Sequence, residues 1–239
     1  EKGRRRESEP PPKLRRQNSA MEYAWSSKVM LVVSCYGILR FCAIASDDAI
    51  PLFFSTPHYM GGMEFDTRTI GIVLCLRGVI LVIMTLFVFP KLKSYYGPLA
   101  LFKAAGVIIP LCTASIPFIR ELQIALPSPA LWACVLVHTV VYVFGMSVAF
   151  TSVTILVNNS APPRVIGTVN GCSQSAASLS SALAPAIAGS LFSWSLLNGL
   201  GFPFDYHFTF FVLSLIAGLM NILIYNLPAS IATRETEDH

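Results

Sequence analysis

The sequence predicts an all-α integral membrane protein with six transmembrane helices. Three observations carry this: six apolar stretches of spanning length, little charge, and basic residues gathered on one side of the alternating loops. The stretches cover residues 29–53, 68–90, 98–118, 130–152, 167–194 and 206–227. Each is long enough to cross a hydrocarbon core of about 30 Å at 1.5 Å per residue. Charged residues make up 13% of the chain and apolar ones 54%, whereas an ordinary soluble domain is about 25% charged. Lys2, Arg4, Arg5, Arg6, Lys13, Arg15, Arg16, Lys28, Lys91, Lys93, Lys103, Arg164 and Arg234 fall on the side of the N-terminus, against Arg68 and Arg120 on the other. Loops rich in Lys and Arg stay cytoplasmic, so both ends of the chain are expected there.

The net charge of +4 sits mostly in one tail. It therefore points to anionic lipid rather than nucleic acid. Residues 1–27 read as a disordered basic linker, since EKGRRRESEPPPKLRRQNS has too little apolar content to build a core. Within it, Arg5-Arg6-Glu7-Ser8 resembles a site for a basophilic kinase, beside the simpler reading of a lipid-facing tail. Residues 28–228 form the bundle and 229–239 a short cytoplasmic tail. The first apolar stretch is too long for a signal-peptide core and follows the whole polar tail. With Glu1 first and Met21 the first methionine, the chain is expected to belong to a longer gene product. Tyr23, Trp25, Tyr95, Tyr96, Trp132, Trp194 and Tyr206 suit the aromatic belts at the two interfaces. The six cysteines lack any metal-ligand spacing and read as buried apolar thiols; no metal site or cofactor is expected.

Four charges fall at membrane depth: Arg40, Asp47 and Asp48 in the first span and Arg77 in the second. Insertion of each costs about 2.5–3.5 kcal/mol at a helix centre, so each should face the interior or a watery cavity and hold a partner. Arg40 and Asp47 are seven residues apart and share a helix face. Asp47, Asp48 and Arg77 all lie roughly 9–14 Å from the outer end of their spans, which makes an interhelical pair of Arg77 with one aspartate reasonable. Two adjacent carboxylates are not both comfortable as anions at low dielectric, so the one without arginine is the natural proton carrier. The alternative is that the first span ends near Ser46 and the aspartates cap it before Pro51.

In the fourth span Cys134, His138 and Tyr142 recur at i, i+4 and i+8, a polar stripe on an apolar helix. His138 joins Asp47, Asp48 and Arg77 as a proton-coupling candidate, although a structural histidine bonded to a neighbouring helix is an equal reading. In the fifth span Ser173, Ala177, Ser181, Pro185 and Gly189 repeat every four residues, a small-residue row that suits close helix packing in lipid. Arg40, Tyr142, Asn170 and Gln174 are the residues expected along a substrate path.

The stretch AFTSVTILVNNSAPPRVIGTVNGCSQSAASLSSALAPAIAGSLFSWS, residues 149–195, resembles the tenth and eleventh helices of a major facilitator superfamily transporter. The likeness is carried by Asn158-Asn159-Ser160, by Gly167-Thr168-Val169-Asn170-Gly171 with Gln174-Ser175, and by Ala184-Pro185 to Gly189. FDTRTIGIVL at 65–74, the FPKLKSYYGPLALFK loop at 89–103 and Asp47-Asp48 before Pro51-Leu52 resemble the same family. It is closest to the drug:proton antiporter group of fungi and plants that includes the zinc-induced-facilitator-like proteins. Ala184 stands where a glycine is usual, and the inner loop lacks the aspartate of the superfamily's signature loop.

The resemblance implies half of a twelve-helix transporter fold, with six helices as two inverted three-helix repeats and a missing N-terminal half as partner. It further implies a proton-coupled exporter of a small organic solute, drug or metal chelate in the plasma or vacuolar membrane, working by alternating access without a cofactor. The rival is a six-helix channel or membrane assembly protein acting as a homo-oligomer, which the lack of a filter-like sequence disfavours. No HExxH or GxSxG motif points to an enzyme. The topology predicts that cysteines substituted for Met60 and Lys93 label from opposite sides of sealed cells. Equal labelling from outside would contradict it.

Overall fold

The computed structural model describes Tyr23 and residues 25–232. The basic linker with its Arg5-Arg6-Glu7-Ser8 site lies almost wholly outside them, as does the tail beyond Ala232. Helix α1 spans Ser27–Ser55. It does not stop at Ser46 but runs through Pro51, so Asp47 and Asp48 lie inside a helix and cap nothing. Ile50, Phe53 and Phe54 beyond the aspartates are buried, and that burial holds the last turns together across the proline. The following loop folds back on the helix end. The Met63, Glu64 and Phe65 amides donate to the carbonyls of Phe53, Thr56 and Phe54 at 3.2, 2.9 and 2.8 Å, pairing groups a helix end leaves free. Gly61 in this loop has φ 89 and packs its backbone on the Tyr206 ring, where a Cβ would collide.

Helix α2, Thr67–Ile83, passes through a π-helical turn at Met84–Val88 into α3, Phe89–Ser115. Together they make 49 residues, about 74 Å if straight, more than twice a bilayer core. The helix is broken at Gly97, whose φ 72 and ψ 161 lie outside the helical region, and Pro98 follows. Then come the short α4, Ile119–Ala125, and three long helices: α5, Ser128–Asn159; α6, Ile166–Leu197; and α7, His207–Tyr225. Five helical stretches among the described residues are long and apolar enough to cross a membrane: Ser27–Ser55, Thr67–Ser115, Ser128–Asn159, Ile166–Leu197 and His207–Tyr225.

The main packing is α1 on α6, with α3 between α5 and α7 and α2 resting on α5. Ala176 and Ser180 come close enough to Gly37 that a Cβ there would sit 3.6 Å from the Ala176 Cβ and 3.4 Å from the Ser180 Oγ. Only part of the four-residue row in α6 faces this contact. Ser173 and Ala177 are buried, but Pro185 is exposed and Gly189 partly so, and the buried face continues instead through Ala184, Ala188 and Phe192. A strict i+4 row turns by about 40° per step around a helix of 3.6 residues per turn, so its far members leave the face of its first. Cysteines differ too: Cys35, Cys42 and Cys112 are buried, yet Cys75 and Cys172 are exposed on α2 and α6. Residues 229–232, expected as tail, form a 3-10 turn that Asn159 Nδ2 holds by the carbonyls of Ile231 and Ala232, both at 3.3 Å.

On α2, Ile72, Val79 and Val82, and in the π-helical turn after it Leu86 and Phe87, are more than half exposed, the apolar surface a helix presents to lipid or to other helices. Between α3 and α7 the fit is tight. A Cβ on Gly106 would lie 2.5 Å from Asn221 Oδ1 and 3.0 Å from Ile224 Cδ1. Gly106→Leu should therefore destabilise the bundle by about 1–3 kcal/mol through overpacking. An unchanged melting temperature in detergent would show that the contact is not made.

Candidate functional site

The buried apolar residues form two clusters along the bundle axis. One gathers around Phe102, Met220 and Leu156, the other around Phe53, Phe210 and Leu213. Arg77 falls between Val73 of the second cluster and Ile80 of the first, Asp47 and Asp48 between Ala45 and Ala49 of the second, and Arg40 between Leu39 and Cys42 of the first. Arg77 of α2 donates through Nη2 to Asp47 Oδ1 of α1 at 2.7 Å. The arginine side chain is 15% exposed and the aspartate 54%, so the pair has a desolvated cationic end and an open anionic end. Tyr142 of α5 lies beneath the guanidinium, its ring centroid 5.4 Å from Cζ, an arrangement that favours the cation. Asp47, Arg77 and Tyr142 line an apolar cavity of about 250 Å³, with Leu74 and Leu81 of α2 and Met146 and Phe150 of α5.

The other expected residues divide by neighbour. Asp48 is half-buried, and its Oδ2 has no hydrogen-bond partner. Adjacent positions on a helix point about 100° apart, so Arg77 reaches one aspartate of the two. Arg40, on the Asp47 face of α1, turns instead to α6. Its Nε donates to Ser181 Oγ at 3.1 Å, and its guanidinium stands 6.0 Å from the Phe150 ring centroid. His138 Nε2 donates to the Cys112 carbonyl of α3 at 3.0 Å. Asn170 Nδ2 donates to Asn158 Oδ1 at 3.0 Å, and Gln174 Nε2 to Tyr36 Oη at 3.4 Å. These two lie toward the end of the bundle where α6 begins and are not part of the Asp47 cavity.

The prolines add further polar groups. Pro51 and Pro185 lack an N–H, so the carbonyls four residues earlier, those of Asp47 and Ser181, lose their helical donors. Both proline positions thus leave backbone acceptors at residues whose side chains engage the half-buried arginines. Ser214 Oγ donates to the carbonyl of a third proline, Pro110, at 2.7 Å, as interior hydroxyls do in membrane helices.

A second polar cluster escapes the sequence reading. At the start of α7, buried His207 stands between two carboxylates, with Nδ1 2.7 Å from Asp205 Oδ1 and Nε2 3.6 Å from Glu121 Oε1. Tyr206 Oη donates to the same Glu121 oxygen at 2.6 Å. This cluster ties the short α4 to α7. Asp205-Tyr206-His207 is a local signal for a polar helix start, but Glu121 comes from a segment 85 residues away, a pairing that periodicity cannot supply.

The Major Facilitator Superfamily model matches residues 1–185. The chain is 33% identical over 187 residues to the major facilitator superfamily multidrug transporter mfsB of Aspergillus fumigatus, covering 74% of this chain and 30% of that protein. It is 30% identical over 205 residues to the Arabidopsis thaliana protein zinc induced facilitator 1, 84% of this chain and 40% of the relative. With the Arabidopsis protein zinc induced facilitator-like 1 it shares 28% identity over 213 residues, 88% and 43% of the two chains. The matched region thus spans less than half the length of each of these relatives. No solved structure matches. The chain belongs to the Major Facilitator Superfamily of membrane transporters and is related to its fungal multidrug and plant zinc-facilitator members.

Proposed function

We propose that the chain is the C-terminal half of a proton-coupled secondary transporter that exports a small organic solute, drug or metal chelate by alternating access. In this reading Gly97 divides the long Thr67–Ser115 stretch into two crossings. The six crossings then form two inverted three-helix repeats, an arrangement known in part from this superfamily. Both ends lie in the cytoplasm, in keeping with the placement of the basic residues. The names of the relatives support a drug or a metal-related solute as cargo.

The observation that carries the reading is the splitting of the aspartate pair. Asp47 is ion-paired to Arg77 beside the cavity, whereas Asp48, the next residue, has a buried oxygen with no partner. A paired carboxylate stays ionised through the cycle. An unpaired one at membrane depth takes up a proton and, once neutral, is relieved of its desolvation penalty. Asp48 is the proton carrier in this scheme, Arg77 fixes Asp47 as an anion, and the apolar walls of the cavity take the body of the solute.

The test uses the complete transporter in vesicles with an imposed pH gradient. A panel of labelled organic cations and metal chelates first identifies a transported probe. Asp48→Asn mimics the protonated residue permanently, so exchange of the probe should continue while uphill accumulation falls to the level of protein-free vesicles. Asp47→Asn should instead lower the amount of folded protein, by leaving Arg77 unpaired. If both variants accumulate the probe as well as the parent, neither aspartate is the coupling site.

A further inference from the structure

A second, smaller cavity shares Arg77 and Tyr142 with the first and reaches His138 and Thr139 between apolar walls. Its volume is about 20 Å³. A water needs about 10–15 Å³ and two to four polar partners to reside in a protein interior. The space is large enough for one. Two groups at its lining have unused hydrogen-bonding capacity. Tyr142 is 2% exposed, and its hydroxyl lies beside Ser46 with capacity for a further hydrogen bond. His138 donates from Nε2 to a carbonyl, which can only accept, so its neutral ring presents Nδ1 as a lone-pair acceptor. The two residues are one turn apart on α5. Their rings are nearly parallel, at 10°, with centroids 6.3 Å apart.

We propose that this cavity binds a single water bridging Tyr142 Oη to His138 Nδ1, and that His138 is thereby a proton-loading site of the transporter. The proposal rests on the proton-coupled reading above and adds where a proton is held after it leaves the aspartate. Tyr142 Oη anchors the water, and a proton released among the intramembrane charges reaches Nδ1 through it: a hydronium at this position loses one O–H bond and His138 gains one N–H bond, leaving water and an imidazolium. Arg77 faces the imidazole from α2, Asp47 lies beyond it on α1 with Asp48 next in the chain, and α3 contributes the Cys112 carbonyl. That carbonyl accepts no proton, so the proton leaves by the way it entered.

Nuclear magnetic resonance of isotope-labelled histidine in the reconstituted protein, with His138 assigned through His138→Gln, tests this. Nε2 should carry a proton at every pH and only Nδ1 should titrate. Tyr142→Phe keeps the ring under Arg77 and removes only the hydroxyl, and it should slow proton exchange at Nδ1 by about a hundredfold. A neutral ring protonated on Nδ1, or unchanged exchange in Tyr142→Phe, would overturn the proposal. So would a structure resolving ordered waters with none at this position, or with one retained in the Phe variant. Neither measurement involves transport, so failure here removes the water site and leaves the role of Asp48 to the vesicle assay.

Discussion

Arg77 and Asp47 meet at 2.7 Å between two helices that otherwise touch little. Around this contact the rest of the bundle is arranged. Each charge alone costs about 2.5–3.5 kcal/mol at the centre of a spanning helix. The pair is tolerable only if α1 stays helical past Asp47, α2 holds its register against α5, and the space around the guanidinium is shaped. Each condition has a visible cause. Buried Phe53 and Phe54 keep α1 going across Pro51. The Thr85 and Ser147 hydroxyls join the π-helical turn after α2 to α5 at 2.8 Å. The Tyr142 ring fills the underside of Arg77.

The aspartate end of the pair is open toward the cavity, while the arginine is mostly sheltered. A weakly covered α2 and a closely packed α1 and α6 follow the same division: α2 contributes a charge to the pair, and α6 contributes Ser181, which occupies Arg40. The two arginines thus have different partners, one a carboxylate and one a hydroxyl, and different surroundings for the same charge.

Much of this was legible in the sequence because it follows from length, depth and charge. Similar depths of Asp47, Asp48 and Arg77 pointed to an interhelical pair, and hydropathy located the long helices. What was illegible depends on contacts distant in sequence or on angular detail. Periodicity could not tell which aspartate Arg77 would choose. It also left open whether Pro51 ends α1, because the answer lies in the burial of Phe53 and Phe54. The row from Ser173 to Gly189 looked like one face since its spacing is regular, but 3.6 residues per turn carries it round the helix. His207 joins Glu121 through the tertiary fold alone, and Arg40 reached Ser181 for the same reason.

The central claim is that Arg77 and Asp47 act as one unit, and a charge exchange tests it most directly. Arg77→Asp and Asp47→Arg are each predicted to reduce the folded protein recovered from membranes and its melting temperature. The double exchange should restore both, with a coupling of about 0.5–3 kcal/mol, the range for residues in direct contact. Additive losses in the double variant, or single variants as stable as the parent, would contradict the account.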